Sequence, residues 1–167
     1  TPPFTPPGKY FEMSCPHDYV MPARYGDKHQ DSAPHYQRVI KEGGAGLRRG
    51  VKMFAPTEIE LREMAAKEYG MISMIDDGIG KILGELDALD LRENTIVVFT
   101  SDHGDMFGDH GVMLKGAMHY EGCTRVPLLI DVPAMPAGVS NSLISSLDLG
   151  PTLLAQAGLE AFHGMQG

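Results

Sequence analysis

The residues best suited to chemistry lie in one stretch, Ser101-Asp102-His103-Gly104-Asp105-Met106-Phe107-Gly108-Asp109-His110-Gly111, followed by Leu114-Lys115-Gly116. Asp102 offers a hard carboxylate and His103 an imidazole nitrogen. Two such neighbours can turn toward one cation where the backbone bends as it leaves a strand. Gly104 permits that bend. An isolated Asp-His pair would more often be a turn cap beside an ordinary loop histidine, so its place in the fold matters.

The segment just before it, Thr95-Ile96-Val97-Val98-Phe99-Thr100, is a short apolar run rich in β-branched residues. It predicts a strand buried on both faces, as in a parallel sheet covered by helices. Asp102 and His103 then fall beyond the carboxyl end of a strand, where open α/β sheets gather their ligands. Upstream, Thr57-Glu58-Ile59-Glu60 is a capping box. Leu61, Met64, Ala65, Ile72, Ile75, Ile79, Ile82, Leu83 and Leu86 follow at helical spacing, predicting a helix to about Leu89 with one apolar stripe facing a sheet. Gly70, Gly78 and Gly80 should each weaken it, or mark a bend or close contact. Val126 to Val132 predicts a second strand and Leu143 to Leu147 a weaker third. Asp148 should cap a last helix that contains Pro151 and closes at Gly158. Residues 1–56 are crowded with prolines and then Gly43-Gly44 and Gly46, and predict extended loop lying across a core built elsewhere. The order of elements indicates an α/β layered fold.

Composition narrows the function classes. The chain of 167 residues is 43% hydrophobic and 22% charged, which suits one globular unit. Its 14 basic and 22 acidic residues leave a net charge of -8, which disfavours a nucleic-acid surface. No apolar run is long enough to span a bilayer. The two cysteines, Cys15 and Cys123, are too few for a disulfide framework and lack the spacing of a structural zinc site.

Taken together, Ser-Asp-His-Gly-Asp, the following Gly-Asp-His-Gly, Lys115-Gly116, His119-Tyr120-Glu121-Gly122 and Arg125-Val126-Pro127-Leu128 resemble the sulfatase family in order and spacing. The similarity extends from Tyr69 and Ile75-Asp76-Asp77-Gly78-Ile79-Gly80 to Asp148-Leu149-Gly150-Pro151-Thr152-Leu153-Leu154. The resemblance implies part of an alkaline-phosphatase-like sandwich, a mostly parallel sheet with helices on both faces. It implies hydrolysis of sulfate esters, with Asp102 and His103 as ligands of a divalent metal, Ca²⁺ foremost and Mg²⁺ or Mn²⁺ as alternatives. Lys115 would place its ammonium on a sulfate oxygen. Cys15-Pro16-His17-Asp18 resembles the family's Pro-His segment in its choline-sulfatase-like form, which makes His17 a donor to the leaving oxygen. The family often has Lys or His before that proline, where this chain has Cys15. No firm role attaches to His110 or His119, and each is read as making a local hydrogen bond.

The expected partner is a small-molecule sulfate ester, with neither nucleic acid nor membrane involved. Sulfatases attack sulfur with a formylglycine made from Cys or Ser in a Cys/Ser-x-Pro/Ala-x-Arg signature, which neither Cys15 nor Cys123 matches. Residues 1–167 therefore read as a partial catalytic domain, a loop-rich portion over 1–56 and a core over 57–167. The nucleophile segment and a C-terminal subdomain are expected to lie outside it, leaving the isolated chain inactive. A phosphonate monoester or phosphodiester hydrolase of the same superfamily, or a non-catalytic binding remnant, are the rival readings.

Overall fold

The computed structural model of the chain describes residues 4–27, 29–43, 53–116 and 119–167. They form two compact units, residues 1–133 and 134–167. In the first, helices α1 (Pro34–Glu42), α2 (Glu58–Ala88) and α3 (Glu121–Thr124) accompany strands β1 (Val97–Thr100) and β2 (Leu128–Asp131). Short 3-10 turns occupy Gly8–Tyr10, Pro16–Asp18, Arg92–Asn94 and Asp109–Gly111.

Helix α2 follows its sequence signals closely. Thr57 caps it in both directions: its hydroxyl accepts from the Glu60 amide, and the Glu60 carboxylate accepts from the Thr57 amide at 2.8 Å. The buried part of its stripe is Leu61, Ala65, Ala66 and Gly70. Farther along, Ile72, Ile75 and Ile82 are more than half exposed while Ile79, Leu83 and Leu86 are half-buried, so the stripe is fully covered only in its first half. The cover is the N-terminal arm together with the Met113-Leu114 segment, and not a sheet. Lys67 donates to the Phe11 carbonyl at 2.6 Å, and Tyr10 and Lys9 both reach the Asp77 carboxylate. A Cβ on Gly70 would lie 2.0 Å from the Tyr10 carbonyl oxygen, whereas one on Gly78 or Gly80 would meet nothing within 4 Å. Gly70 is thus the close-packing glycine.

The strands depart from expectation. β1 and β2 are the only two strands of the sheet among the described residues, and they pair antiparallel, with Val97 opposite Asp131 and Thr100 opposite Leu128. A parallel pair needs a crossover that returns the chain to the sheet's starting edge. Among the described residues the connection carries only a 3-10 turn and the four-residue α3, and the chain re-enters in the opposite direction. Nor is β1 sealed on both faces: Val97 and Val98 are half-buried, while Phe99 and Thr100 are exposed. No third strand forms at Leu143 to Leu147.

In residues 1–56 the sequence reading missed α1. Pro34 sits at its first turn, where a fixed φ and a missing amide cost nothing, but Ala33 supplies no side-chain cap. The Gly44 and Gly46 positions lie outside the described residues.

The hydrophobic core sits on the loop between the strands. Leu61, Met113 and Leu114 form one buried cluster with Phe4, Tyr25, Phe54 and Phe107 packed around it. Met106, Val112 and Cys123 form a second, against Val39, Ile40 and Tyr120. In the second unit, α4 (Leu149–Gln156) follows a 3-10 turn over Ser146–Asp148. Asp148 does not cap α4 with its side chain. It completes a capping box with Ser145 one turn earlier, accepting from the Ser145 amide at 2.7 Å.

Replacing Gly80 by alanine is expected to stabilise the fold by up to about 1 kcal/mol, because the new methyl enters open space in a helix interior. Gly70→Ala must push the Tyr10 backbone away and is expected to destabilise it. Urea unfolding of the two variants should shift the midpoint in opposite directions.

Candidate functional site

The segment from His103 to Lys115 leaves the sheet, dives through the core and returns to the surface. Its middle is buried, with Met106, Val112 and Met113 at 1% exposure or less, while Asp102 and Lys115 at its ends are exposed. Its path is held by two devices. Gly104 packs so tightly on the turn at Gly122 that a Cβ would lie 2.0 Å from the Gly122 carbonyl oxygen, and its amide donates to the Cys123 carbonyl at 2.8 Å. Close approach is what this position demands of glycine. The half-buried Asp105 is the second device: its Oδ1 accepts from the Phe107 amide at 3.1 Å and from the Leu114 amide at 2.9 Å. One carboxylate oxygen therefore ties the start of the loop to the residue preceding Lys115. Phe107, His110 and Leu114 all have positive φ, 41°, 51° and 66°, conformations that persist only where surroundings impose them. Nothing in the spacing of the sequence distinguishes Asp105 from the other aspartates of the motif.

Asp102, His103 and Lys115 converge. Asp102 Oδ2 lies 3.4 Å from His103 Nε2, and the Lys115 ammonium contacts that same nitrogen. His103 Nδ1 is 2.8 Å from the Gly104 carbonyl. A carbonyl can only accept, so Nδ1 carries the hydrogen and the Nε2 lone pair faces Asp102 and Lys115. That is the tautomer and the backbone brace of a metal-binding imidazole. The Asp102 carboxyl is held below its ordinary range. Loss of solvation is the largest single influence and works the other way, but the His103 amide, the His103 ring, the Asp102 amide and the Lys115 charge together outweigh it. The pair fits a divalent cation as one hard oxygen and one nitrogen of its coordination shell, the remaining positions falling to other oxygens or water.

His17 is exposed in the 3-10 turn over Pro16–Asp18. It lines an open cleft of about 580 Å³ with Arg62, whose guanidinium donates to the Tyr19 carbonyl at 2.7 Å. Among the described residues no hydrogen bond or ion pair links it to the other three. His119 is exposed. His110 is not a local hydrogen bonder: it is 7% exposed, and its Nδ1 meets Asp27 Oδ2 at 3.1 Å across 83 residues of sequence. The sequence reading also passed over His29, which is 3% exposed beside it. Cys15 and Cys123 are both free, and burial pushes the Cys123 thiol up.

The sequence profile of the sulfatase family matches residues 11–159. The chain belongs to the sulfatase family. It is similar to a choline-sulfatase of Rhizobium meliloti, at 31% identity over 86% of this chain and 30% of that protein. It is also similar to an N-acetylglucosamine-6-O-sulfatase of Bacteroides thetaiotaomicron, at 43% identity over 88% of this chain and 25% of the relative. Among solved structures, a phosphonate monoester hydrolase from Silicibacter pomeroyi superposes on 99% of this chain with a TM-score of 0.84 and 26% identity, using 33% of its own length. The chain thus spans about a third or less of each of these proteins, and its neighbours have the alkaline-phosphatase-like sulfatase fold.

Asp105→Ala frees two amides at once and is expected to cost about 2 kcal/mol, measured by urea unfolding. Asp105→Asn keeps an acceptor oxygen and should recover most of the loss. A pH titration followed by NMR should find the Asp102 carboxyl titrating below an ordinary aspartate, and Lys115→Met should move its midpoint upward, because removing a neighbouring positive charge disfavours the carboxylate.

Proposed function

We propose that this chain provides the metal-binding and sulfate-binding portion of a divalent-metal-dependent sulfuric ester hydrolase. The observation that supports this reading most is the convergence of the Asp102 carboxylate, the His103 Nε2 lone pair and the Lys115 ammonium at an exposed edge, in a chain of the sulfatase family. Asp102 and His103 would hold the cation, Ca²⁺ foremost, with Mg²⁺ or Mn²⁺ as alternatives. When bound it would draw charge from the sulfate oxygens. Lys115 would bind a further sulfate oxygen and stabilise charge that grows as the ester bond breaks. His17, exposed in its own cleft beside Arg62, would give a hydrogen bond or proton to the leaving oxygen.

The substrate is a small sulfate ester. The nucleophile is taken to come from outside these residues, since neither cysteine stands in a formylglycine signature, and the chain alone is therefore expected to be inactive. In the complete enzyme β1 and β2 would join a wider, mostly parallel sheet with helices on both faces. The exposed Phe99, Leu129 and Ile130 on these strands suit that placement. Phosphonate monoester hydrolysis is the second reading, favoured by the superposition on the Silicibacter pomeroyi enzyme.

The test is a comparison of aryl sulfate and aryl phosphonate hydrolysis by the full-length protein. The sulfate ester should be the better substrate by kcat/KM, and a reversed preference would establish the phosphonate reading. Lys115→Ala should lower kcat by about 100-fold, and His103→Ala should abolish metal-dependent turnover. Hydrolysis of either ester by residues 1–167 alone would refute the external nucleophile.

A further inference from the structure

A second group of ligand-type side chains lies apart from the Asp102, His103 and Lys115 cluster. Asp27, His29 and His110 each present one ligand atom, and the three atoms lie within 4.8 Å of one another. We infer that these residues form a second cation site, selective for a borderline metal of the zinc class. Two imidazoles and one carboxylate are a usual zinc donor set, with a fourth position left to water. An oxygen-seeking ion such as Ca²⁺ would find one carboxylate and little else.

The groups are already close to a coordinating arrangement. Asp27 Oδ2 accepts a hydrogen bond from His110 Nδ1 at 3.1 Å, near the edge of about 3.3 Å that a tetrahedron with zinc bonds of about 2.05 Å requires, and a bound cation would replace the shared hydrogen. His29 Nε2 faces the His110 carbonyl, which can only accept, so Nε2 holds the hydrogen and the Nδ1 lone pair points to the Ser32 hydroxyl at 2.9 Å. Coordination at Nδ1 requires the Ser32 hydroxyl to rotate out of the lone pair's direction, and the backbone carbonyl remains as the support of the ligand ring. Both rings are held flat by phenol neighbours: Tyr36 stacks on His29 with an interplanar angle of 13°, and Tyr120 on His110 at 3.9 Å. Both imidazoles are buried and the carboxylate is exposed. An open cleft of about 410 Å³, lined by His110, Tyr120 and Arg24, gives a way in. A metal here would clamp the N-terminal arm to the buried loop that carries Lys115.

The experiment is a Co²⁺ titration of the chelator-treated 167-residue chain, read by visible absorption. One Co²⁺ per chain should give the intense absorption of a tetrahedral site, any ion held by Asp102 and His103 adding only the weak absorption of an oxygen-rich shell, and Zn²⁺ should displace the tetrahedral ion. Asp102→Asn should leave the band in place, and Asp27→Asn should weaken binding by at least about 100-fold with the circular dichroism unchanged. Ser32→Ala, which removes the hydroxyl competing for His29 Nδ1, should tighten binding about threefold, an effect that misfolding cannot imitate. No tetrahedral band, a band lost on Asp102→Asn, or binding indifferent to both Asp27→Asn and Ser32→Ala would overturn the site.

Discussion

Everything at the exposed cluster depends on the segment between His103 and Lys115 being buried in its middle. A surface loop with three non-glycine residues at positive φ would relax. This one cannot, because Met106, Val112 and Met113 are packed into the two core clusters and Asp105 ties the amides of Phe107 and Leu114 to one oxygen. The hydrophobic effect thereby fixes the separation between an imidazole at one end and an ammonium at the other. The close contact of Gly104 with Gly122 sets the direction in which His103 leaves the sheet.

The arm and α2 serve the same end. Tyr19 donates its hydroxyl to the Phe107 carbonyl, Tyr25 donates to the Pro56 carbonyl, and the Met113 amide bonds the Phe54 carbonyl in an isolated bridge. The bonds to the Phe107 carbonyl and from the Met113 amide satisfy backbone groups that the irregular loop would otherwise bury unpaired. An arm with little secondary structure of its own is ordered because it supplies the donors and acceptors that the loop lacks.

Legibility in the sequence followed the range of the interaction. α2 was readable because its capping box and stripe are local, and β1 and β2 because β-branched runs are local. Their antiparallel pairing was not, since it depends on how the connection folds. α1 escaped because Ala33 gives no capping signal. Asp102, His103 and Lys115 stood out as a linear motif, and the structure brings them together. The Asp105 brace is chemically indistinguishable in sequence from neighbouring aspartates. The meeting of Asp27 and His29 with His110 depends on a contact spanning more than 80 residues, which no spacing rule anticipates.

The two clusters also divide by solvent. At the exposed one, Asp102 is 82% accessible and His103 39%, which under the proposed reading would let water complete the shell of a hard cation and a substrate oxygen replace that water. At the other, the two imidazoles are nearly sealed and braced by aromatic rings, leaving few positions for water. A site that must exchange ligands during turnover gains from the first arrangement, and one that holds two chain segments together gains from the second. The buried loop joins them, since His110 lies in its middle and His103 and Lys115 stand at its ends.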